Sequence, residues 1–340
     1  VAPAVETRIG ALLDEEETRW GIVDPELIPL IQALRSFVLD GGKRLRPAFC
    51  HWAFVGAGGH PADPAVIEAG AALELLHAFA LLHDDVMDGS RLRRGRTTVH
   101  VDFAARHGEA GWRGEARRFG EGVAILVGDL AFVYADLLMV GVPREATEIF
   151  NELRIELNIG QCLDLVGTAE ARRDRPMAGR IARYKSGKYT VERPLHLGAA
   201  LVGRLGELAG PLSAYGLPLG EAFQMRDDIL GTFGDPELTG KPVGDDLREG
   251  KPTPLLAITT DRAGDLGREL LQRVGSPDLG DDEVKAIQSL MIETGAREET
   301  ERLIDEMASE AVAALDRAAI TGEARAALSE LADFVVSRNF

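Results

Sequence analysis

The chain has 340 residues, 45% of them apolar, enough to bury a substantial core as one large domain or two modest ones. Lys plus Arg number 38 against 55 Asp plus Glu, a net charge of −17 that argues against a nucleic-acid partner held by general electrostatic attraction. Two cysteines, Cys50 and Cys162, stand far apart with no CxxC or Cys/His cluster, so neither a disulfide framework nor a zinc site is indicated.

The N-terminal stretch VAPAVETRIGALLDEEETRW lacks the basic start and apolar run of a signal peptide. No run of 18 or more consecutive apolar residues follows it. The expectation is a protein of the reducing cytoplasm without stable membrane insertion. Apolar residues recur at three- and four-residue spacing, and strand-like alternation is scarce. This predicts an all-α bundle with helices at 25–39, 45–57, 64–88, 116–140, 145–166, 177–203, 207–232, 282–295, 298–317 and 322–337. The Gly/Pro/Asp-rich stretch from Gly231 to Pro254 is expected to be irregular and to lie at the mouth of a site. No fixed-period repeat emerges, so one domain over 1–340 is expected, with helices 282–337 part of it.

The chemistry-bearing residues follow in chain order. In GGKRLRP at 41–47, Gly41 and Gly42 permit an unusual backbone path. Lys43 and Arg46 can then face one anion at a helix start, with Pro47 in its first turn. The helix over 64–88 starts at Pro64 after Asp63, and Ile67, Ala71, Leu75, Phe79 and Leu82 form its apolar stripe. It ends in DDVMD, where Asp84 and Asp88 lie one turn apart and Asp85 three residues before Asp88. These carboxylates repel one another unless a cation intervenes, and sparse hard oxygen ligands suit magnesium better than zinc. A solvated acidic helix end would carry the same residues.

Arg93 and Arg94, in RLRRGR at 91–96, place guanidinium forks beside that cluster, and such forks bind phosphate oxygens in pairs. Lys185, Lys188, Lys241 and Lys251 add further cations against the acidic trend. Asp227 and Asp228 end another helix and supply a second acidic pair. Two such helix ends facing each other can clamp a diphosphate through metal ions and neutralise it as it leaves. His77 precedes Asp84 by seven residues, almost two turns, which puts both on one helix face about 10 Å apart.

GGKRLRP, ELLHAFALLHDDVMDGSRLRRG, GDL at 128–130, GQCLDL at 160–165, YKSGKYT at 184–190 and FQMRDDILGTFGD at 223–235 together resemble the trans-isoprenyl diphosphate synthases, in order and over most of 40–255. The resemblance implies an all-helical, homodimeric enzyme that condenses an allylic diphosphate with isopentenyl diphosphate. It implies three magnesium ions with bound diphosphate, manganese being an alternative. It assigns Asp84, Asp85, Asp88, Asp227 and Asp228 to metal, and Lys43, Arg46, His77 and Arg94 to isopentenyl diphosphate. Arg93, Lys185, Lys241 and Lys251 fall to the allylic diphosphate, Ser186 and Gln224 to the vicinity of the carbocation, and Lys185, Ser186 and Gln224 are the catalytic set it implies. No Ser, Cys or His nucleophile is implied. A full second DDxxD would have Asp at 231, where this chain has Gly231.

Residues one to two turns before the first Asp control chain length in this family. Phe79 five residues upstream and Ala80 four upstream resemble the archaeal-type geranylgeranyl diphosphate synthases. Helical geometry sets Ala80 roughly 40° from Asp84 and Phe79 roughly 140° away, so Ala80 is the clearer opening. Farnesyl and longer products stay open. A terpene cyclase would replace the second motif and has little need of GGKRLRP. A non-catalytic subunit of a heteromeric synthase would show decayed motifs, which are intact here apart from Gly231.

Overall fold

The computed structural model describes residues 1–234 and 243–337. Its architecture is helical: α1 (Ala2–Val23), α2 (Ile28–Leu39), α3 (Leu45–Gly56), α4 (Pro64–Met87), α5 (Val99–Glu109), α6 (Ala116–Leu138) and α7 (Arg144–Ala169) form the first half. Among the described residues the strands are β1 (Leu92–Arg93) and β2 (Arg96–Thr97), paired antiparallel as a small hairpin after α4. The second half holds α8 (Arg175–Ile181), α9 (Arg193–Leu201) and α10 (Leu205–Phe233), followed by shorter helices and two longer ones at Ala296–Ala314 and Gly322–Val336.

Helix α4 is the hub. Asp63 caps it by accepting the Ala65 N–H at 2.9 Å, and Pro64 fits a first-turn position whose N–H has no partner. Buried residues occur all round it, from Ala69 and Ala71 to Leu73, Leu75 and Leu76, because α1, α3 and α6 enclose it. It is long and apolar enough to cross a membrane, but here it is a core helix. Ala124, Ala131 and Ala135 on α6 are small, which lets that helix approach closely. A second apolar cluster joins α3, α9 and α10 to the C-terminal helices, and a third packs the lower part of α10 against 255–304.

Helices α1 and α5 lie outside the predicted set. In α1, Val5, Ile9, Leu12 and Leu13 keep helical spacing and are buried, although acidic residues crowd the same stretch. In α5 the buried face is His100, Phe103 and His107, and two imidazoles do not read as apolar in a sequence. The stretch predicted as irregular also carries helix: α10 runs to Phe233 and a five-residue helix spans Asp245–Glu249. The helix expected at 177–203 is not continuous. A π-helix over Ala182–Glu192 separates α8 from α9. Pro194 lacks the N–H that would continue the α-pattern back to Thr190, and wide π turns favour functional positions.

Candidate active site

Asp84 and His77 from α4, Asp227 and Asp228 from α10, and Lys185 and Ser186 from the π-helix line one cavity of about 490 Å³. Its apolar wall includes Leu81, Leu157, Ile181 and Phe223. A larger cleft of about 840 Å³ lies beyond the Arg93–Arg94 hairpin, but neither acidic motif reaches it, and its Arg96 and Arg106 already pair with Asp40 and Asp102.

The first acidic wall is held by cations. Asp84 accepts hydrogen bonds from Lys185 Nζ at 3.1 Å and Gln161 Nε2 at 3.0 Å, and Lys185 also reaches Asp164 at 2.6 Å. Burial opposes ionisation of Asp84, but Lys185, Lys251 and Arg93 outweigh it and hold the carboxyl at about 2. Asp85 faces Arg93, whose guanidinium donates through Nε at 2.8 Å with Nη2 at 2.7 Å. With 1% exposure, Asp85 sits behind the wall rather than on it. Asp88 meets Lys251 Nζ at 3.2 Å, yet burial and the neighbouring Asp84 and Glu249 push its carboxyl up.

Glycine sets the close fit of the π-helix. A Cβ on Gly160 of α7 would stand 2.3 Å from the backbone nitrogen of Lys185 and 2.6 Å from its Cα. Only hydrogen at 160 lets the chain carrying Lys185 lie against Gln161 and Asp164. Gln161, Asp164, Tyr189 and Thr190 were not singled out from the sequence, although Gln161 and Asp164 lie three apart in GQCLDL, on one helix face.

The second wall is a relay. Ser186 Oγ donates to Gln224 Oε1, and Gln224 Nε2 donates to Asp228 Oδ1 at 2.6 Å. Burial, then Asp246 and Asp227, push the Asp228 carboxyl well above the carboxylate range. Lys251 spans the walls: its ammonium contacts Asp88, Glu249 and, at 3.9 Å, Asp246. Burial would lower the Lys251 pKa, but Asp246, Asp88 and Glu249 raise it well above its ordinary value.

Arg46, His77 and Arg94 form the basic part of the same cavity. Arg46 is buried, with its guanidinium 4.2 Å from the Tyr189 ring centroid and Nη2 donating to Thr190 at 2.9 Å. Its buried Nε has no hydrogen-bond partner, and neither has Nδ1 of His77. Arg94, at φ +52°, donates to the Asp40 and Gly41 carbonyls at 3.2 and 3.0 Å, which ties the hairpin to the GGKRLRP loop. Burial, then Arg46, Arg94, Arg93 and Arg44, hold His77 well below its ordinary value, so it is a neutral donor rather than a cation.

Five predicted site residues fall elsewhere or outside, and one of them, Asp88, stands just off the cavity lining, joined to it by Lys251. Lys43 does not line the cavity; its Nζ lies 5.2 Å from the Phe334 ring. Phe79 does not line it either and packs on Phe132 and His83, with centroids 4.8 and 4.6 Å away, while Ala80 does face the cavity. Asp85 is turned to Arg93, as above. Lys241 lies outside the described residues.

The residues fit a divalent metal. Among the described residues no three acidic, His or Cys side chains converge on a preformed ion site, so water and phosphate oxygens would have to complete any coordination shell, the habit of magnesium. The donors are carboxyl oxygens, and Asp228 Oδ2 is buried with no hydrogen-bond partner, an oxygen that a cation taking the place of the proton would satisfy. Lys185 and Lys251 already place ammonium groups among these carboxylates.

A helical bundle whose cavity sets two acidic walls beside a separate basic one belongs to the class of metal-assisted enzymes that act on diphosphates. The polyprenyl synthetase profile matches residues 29–291, and the chain belongs to that family. It is 33% identical over 308 residues to a geranylfarnesyl diphosphate synthase of Aeropyrum pernix, covering 88% of this chain and 91% of that one. It is 31% identical to a geranylgeranyl diphosphate synthase of Methanosarcina mazei, over 97% of this chain and 98% of the relative. A crystal structure of geranylgeranyl pyrophosphate synthase from Corynebacterium glutamicum, complexed with isoprenyl diphosphate and magnesium, superposes with a TM-score of 0.93 at 37% identity, covering 98% of this chain and 97% of that one. The chain is a trans-prenyltransferase, working on diphosphates with a divalent metal.

Proposed function

We propose that this enzyme makes geranylgeranyl diphosphate from isopentenyl diphosphate and an allylic primer, as one domain that works as a homodimer with three magnesium ions. The observation that carries the chemistry is the shared cavity: Asp84 and Asp227/Asp228 line it from two helices, and Arg46, His77 and Arg94 line it too. Asp84, Asp88, Asp227 and Asp228 would hold the metal. Metal held there would supply charge neutralisation to the allylic diphosphate as a leaving group. Lys185, Lys251 and Arg93 leave their carboxylate partners to grip that departing group.

Arg46 and Arg94 hold the second diphosphate without metal, because isopentenyl diphosphate must keep its own, and neutral His77 donates a hydrogen bond to it. The Ser186–Gln224–Asp228 relay orients the Gln224 amide beside the reacting carbons. Leu81, Leu157, Ile181 and Phe223 keep water from the cation. Released diphosphate is the base that takes the last proton. The homodimer is supported by apolar residues left exposed along α6 and α7, among them Leu126, Val133, Leu137, Ile155 and Ile159.

The twenty-carbon product is supported by the small Ala80 on the cavity wall and by relatives of that name. Incubation with magnesium, isopentenyl diphosphate and dimethylallyl, geranyl or farnesyl diphosphate, followed by mass analysis, should give a twenty-carbon product from all three. A farnesyl end product, with farnesyl diphosphate left unextended, would overturn the assignment. Ala80→Phe should shorten the product and Phe79→Ala should not change it.

A further inference from the structure

Lys188 is one of the cations that run against the acidic trend, and the cavity does not use it. Its ammonium meets Glu156 of α7. Arg193, the first residue of α9, grips the same carboxylate, donating through Nε at 2.6 Å and Nη2 at 2.8 Å. Glu156 is buried, and none of these three side chains lines the cavity. Burial opposes ionisation of Glu156, but the hydrogen bonds from Arg193 and Lys188 outweigh it and hold the carboxyl below its ordinary range. Glu192, four residues after Lys188 on the same segment, stays 4.0 Å from its ammonium, so that cation is committed to α7.

The spacing of the two cations carries the meaning. In an α-helix five residues turn the chain by about 500°, which would point Lys188 and Arg193 about 140° apart. A π turn closes from residue i to i+5 and brings such residues back towards one face. The Arg193 N–H donates to the Lys188 carbonyl, so the last π turn is closed by this bond in the main chain and by Glu156 between the side chains. One carboxylate serves both cations because the turn is wide, and it disfavours any winding that would separate them.

The segment closed in this way carries both sides of the site. Lys185 and Ser186 stand just before the turn and line the cavity. Inside the turn, Tyr189 lies against the Arg46 guanidinium and Thr190 accepts its hydrogen bond. Glycine contacts hold the earlier part: besides Gly160 against Lys185, a Cβ on Gly220 of α10 would stand 2.5 Å from the Cα and the carbonyl oxygen of Gly187. Glu156 holds the later part. Rewinding it as α-helix would drop one residue from the turn and rotate Tyr189 and what precedes it by about 100° relative to α9.

We infer that Glu156 is a positioning residue of the prenyl transfer: by joining Lys188 to Arg193 it keeps the wide winding that presents Lys185 and Ser186 to the allylic side and Tyr189 and Thr190, through Arg46, to isopentenyl diphosphate. The inference rests on the roles proposed for Lys185 and Arg46 and adds the device that aligns them.

The test is initial-rate kinetics of the purified full chain with magnesium, geranyl diphosphate and isopentenyl diphosphate, run well below the melting temperature measured on the same samples. Glu156→Gln and Lys188→Met should each lower kcat about 10- to 100-fold and raise KM for isopentenyl diphosphate about 10-fold. Lys188→Met keeps the Glu156–Arg193 pair and reads the effect even if Glu156→Gln does not fold. The double variant should be no worse than the poorer single, because both act through one bridge. Tyr134→Phe, which removes a buried hydrogen bond to Glu16 away from the cavity, should lower the melting temperature and leave kcat as it is. Single variants that melt earlier but turn over like wild type, or losses that multiply in the double, would overturn the inference and leave the proposed function standing. A wild-type chain that does not condense the two substrates would overturn both.

Discussion

Lys185 joins the two carboxylates on which the first wall depends, and its removal has a calculable effect. Its Nζ lies 2.6 Å from Asp164 and 3.1 Å from Asp84, with side chains only 22%, 8% and 15% exposed. At an effective dielectric near 20, each contact carries roughly 5–6 kcal/mol of gross attraction. Desolvating the ammonium cancels much of that, and breaking such a pair from one side typically costs about 3–5 kcal/mol because the remaining charges stay buried. For Lys185→Met, urea unfolding of the metal-free protein should register a loss of about 3 kcal/mol. Turnover should also fall by about 100- to 1000-fold, since a donor to the departing diphosphate is removed. Magnesium with inorganic diphosphate should restore part of the stability by giving Asp84 a new cation. Stability unchanged within about 1 kcal/mol and turnover close to wild type would refute the role given to Lys185.

The two arginines of GGKRLRP should separate cleanly. Arg44 is locked to Glu74 at 2.8 Å, with 3% exposure on both sides, so Arg44→Ala should cost about 3–5 kcal/mol in urea unfolding. Arg46→Met should instead raise KM for isopentenyl diphosphate about 10- to 100-fold, measured by initial rates. His77 bears a pH signature: its native pKa is depressed, so above about pH 6.5 it adds nothing, and as pH falls below that value the unfolded chain takes up a proton that the native site refuses. Wild type should therefore lose up to about 1.4 kcal/mol more than His77→Gln between pH 7.5 and 5.5 in paired urea titrations.

What the sequence revealed and what it hid follow one physical line. Asp84, Asp227, Asp228, Arg46, His77 and Arg94 were legible because each sits at a spacing that a single helix or loop converts directly into position, and they do share one cavity. Asp164 was legible in form, inside GQCLDL, but its role comes from Lys185, reached only because Gly160 admits the π-helix. Asp246 could not be placed, since it reaches the wall of Asp227 and Asp228 from a separate short helix with no period in common with theirs. Lys43 and Phe79 show the reverse limit. Spacing puts both near the site, but their side chains turn to Phe334 and to Phe132. The continuous helix expected at 177–203 failed because hydrophobic periodicity does not distinguish α from π winding.

Division of the cavity into a metal-dependent allylic side and a metal-free isopentenyl side is tested most directly by calorimetry of each ligand with and without magnesium, using an unreactive thio-analogue of the allylic diphosphate. The analogue should bind tightly only with magnesium, and isopentenyl diphosphate should bind with or without it. Isopentenyl diphosphate binding that vanishes when magnesium is withdrawn, or analogue binding that persists, would contradict the division.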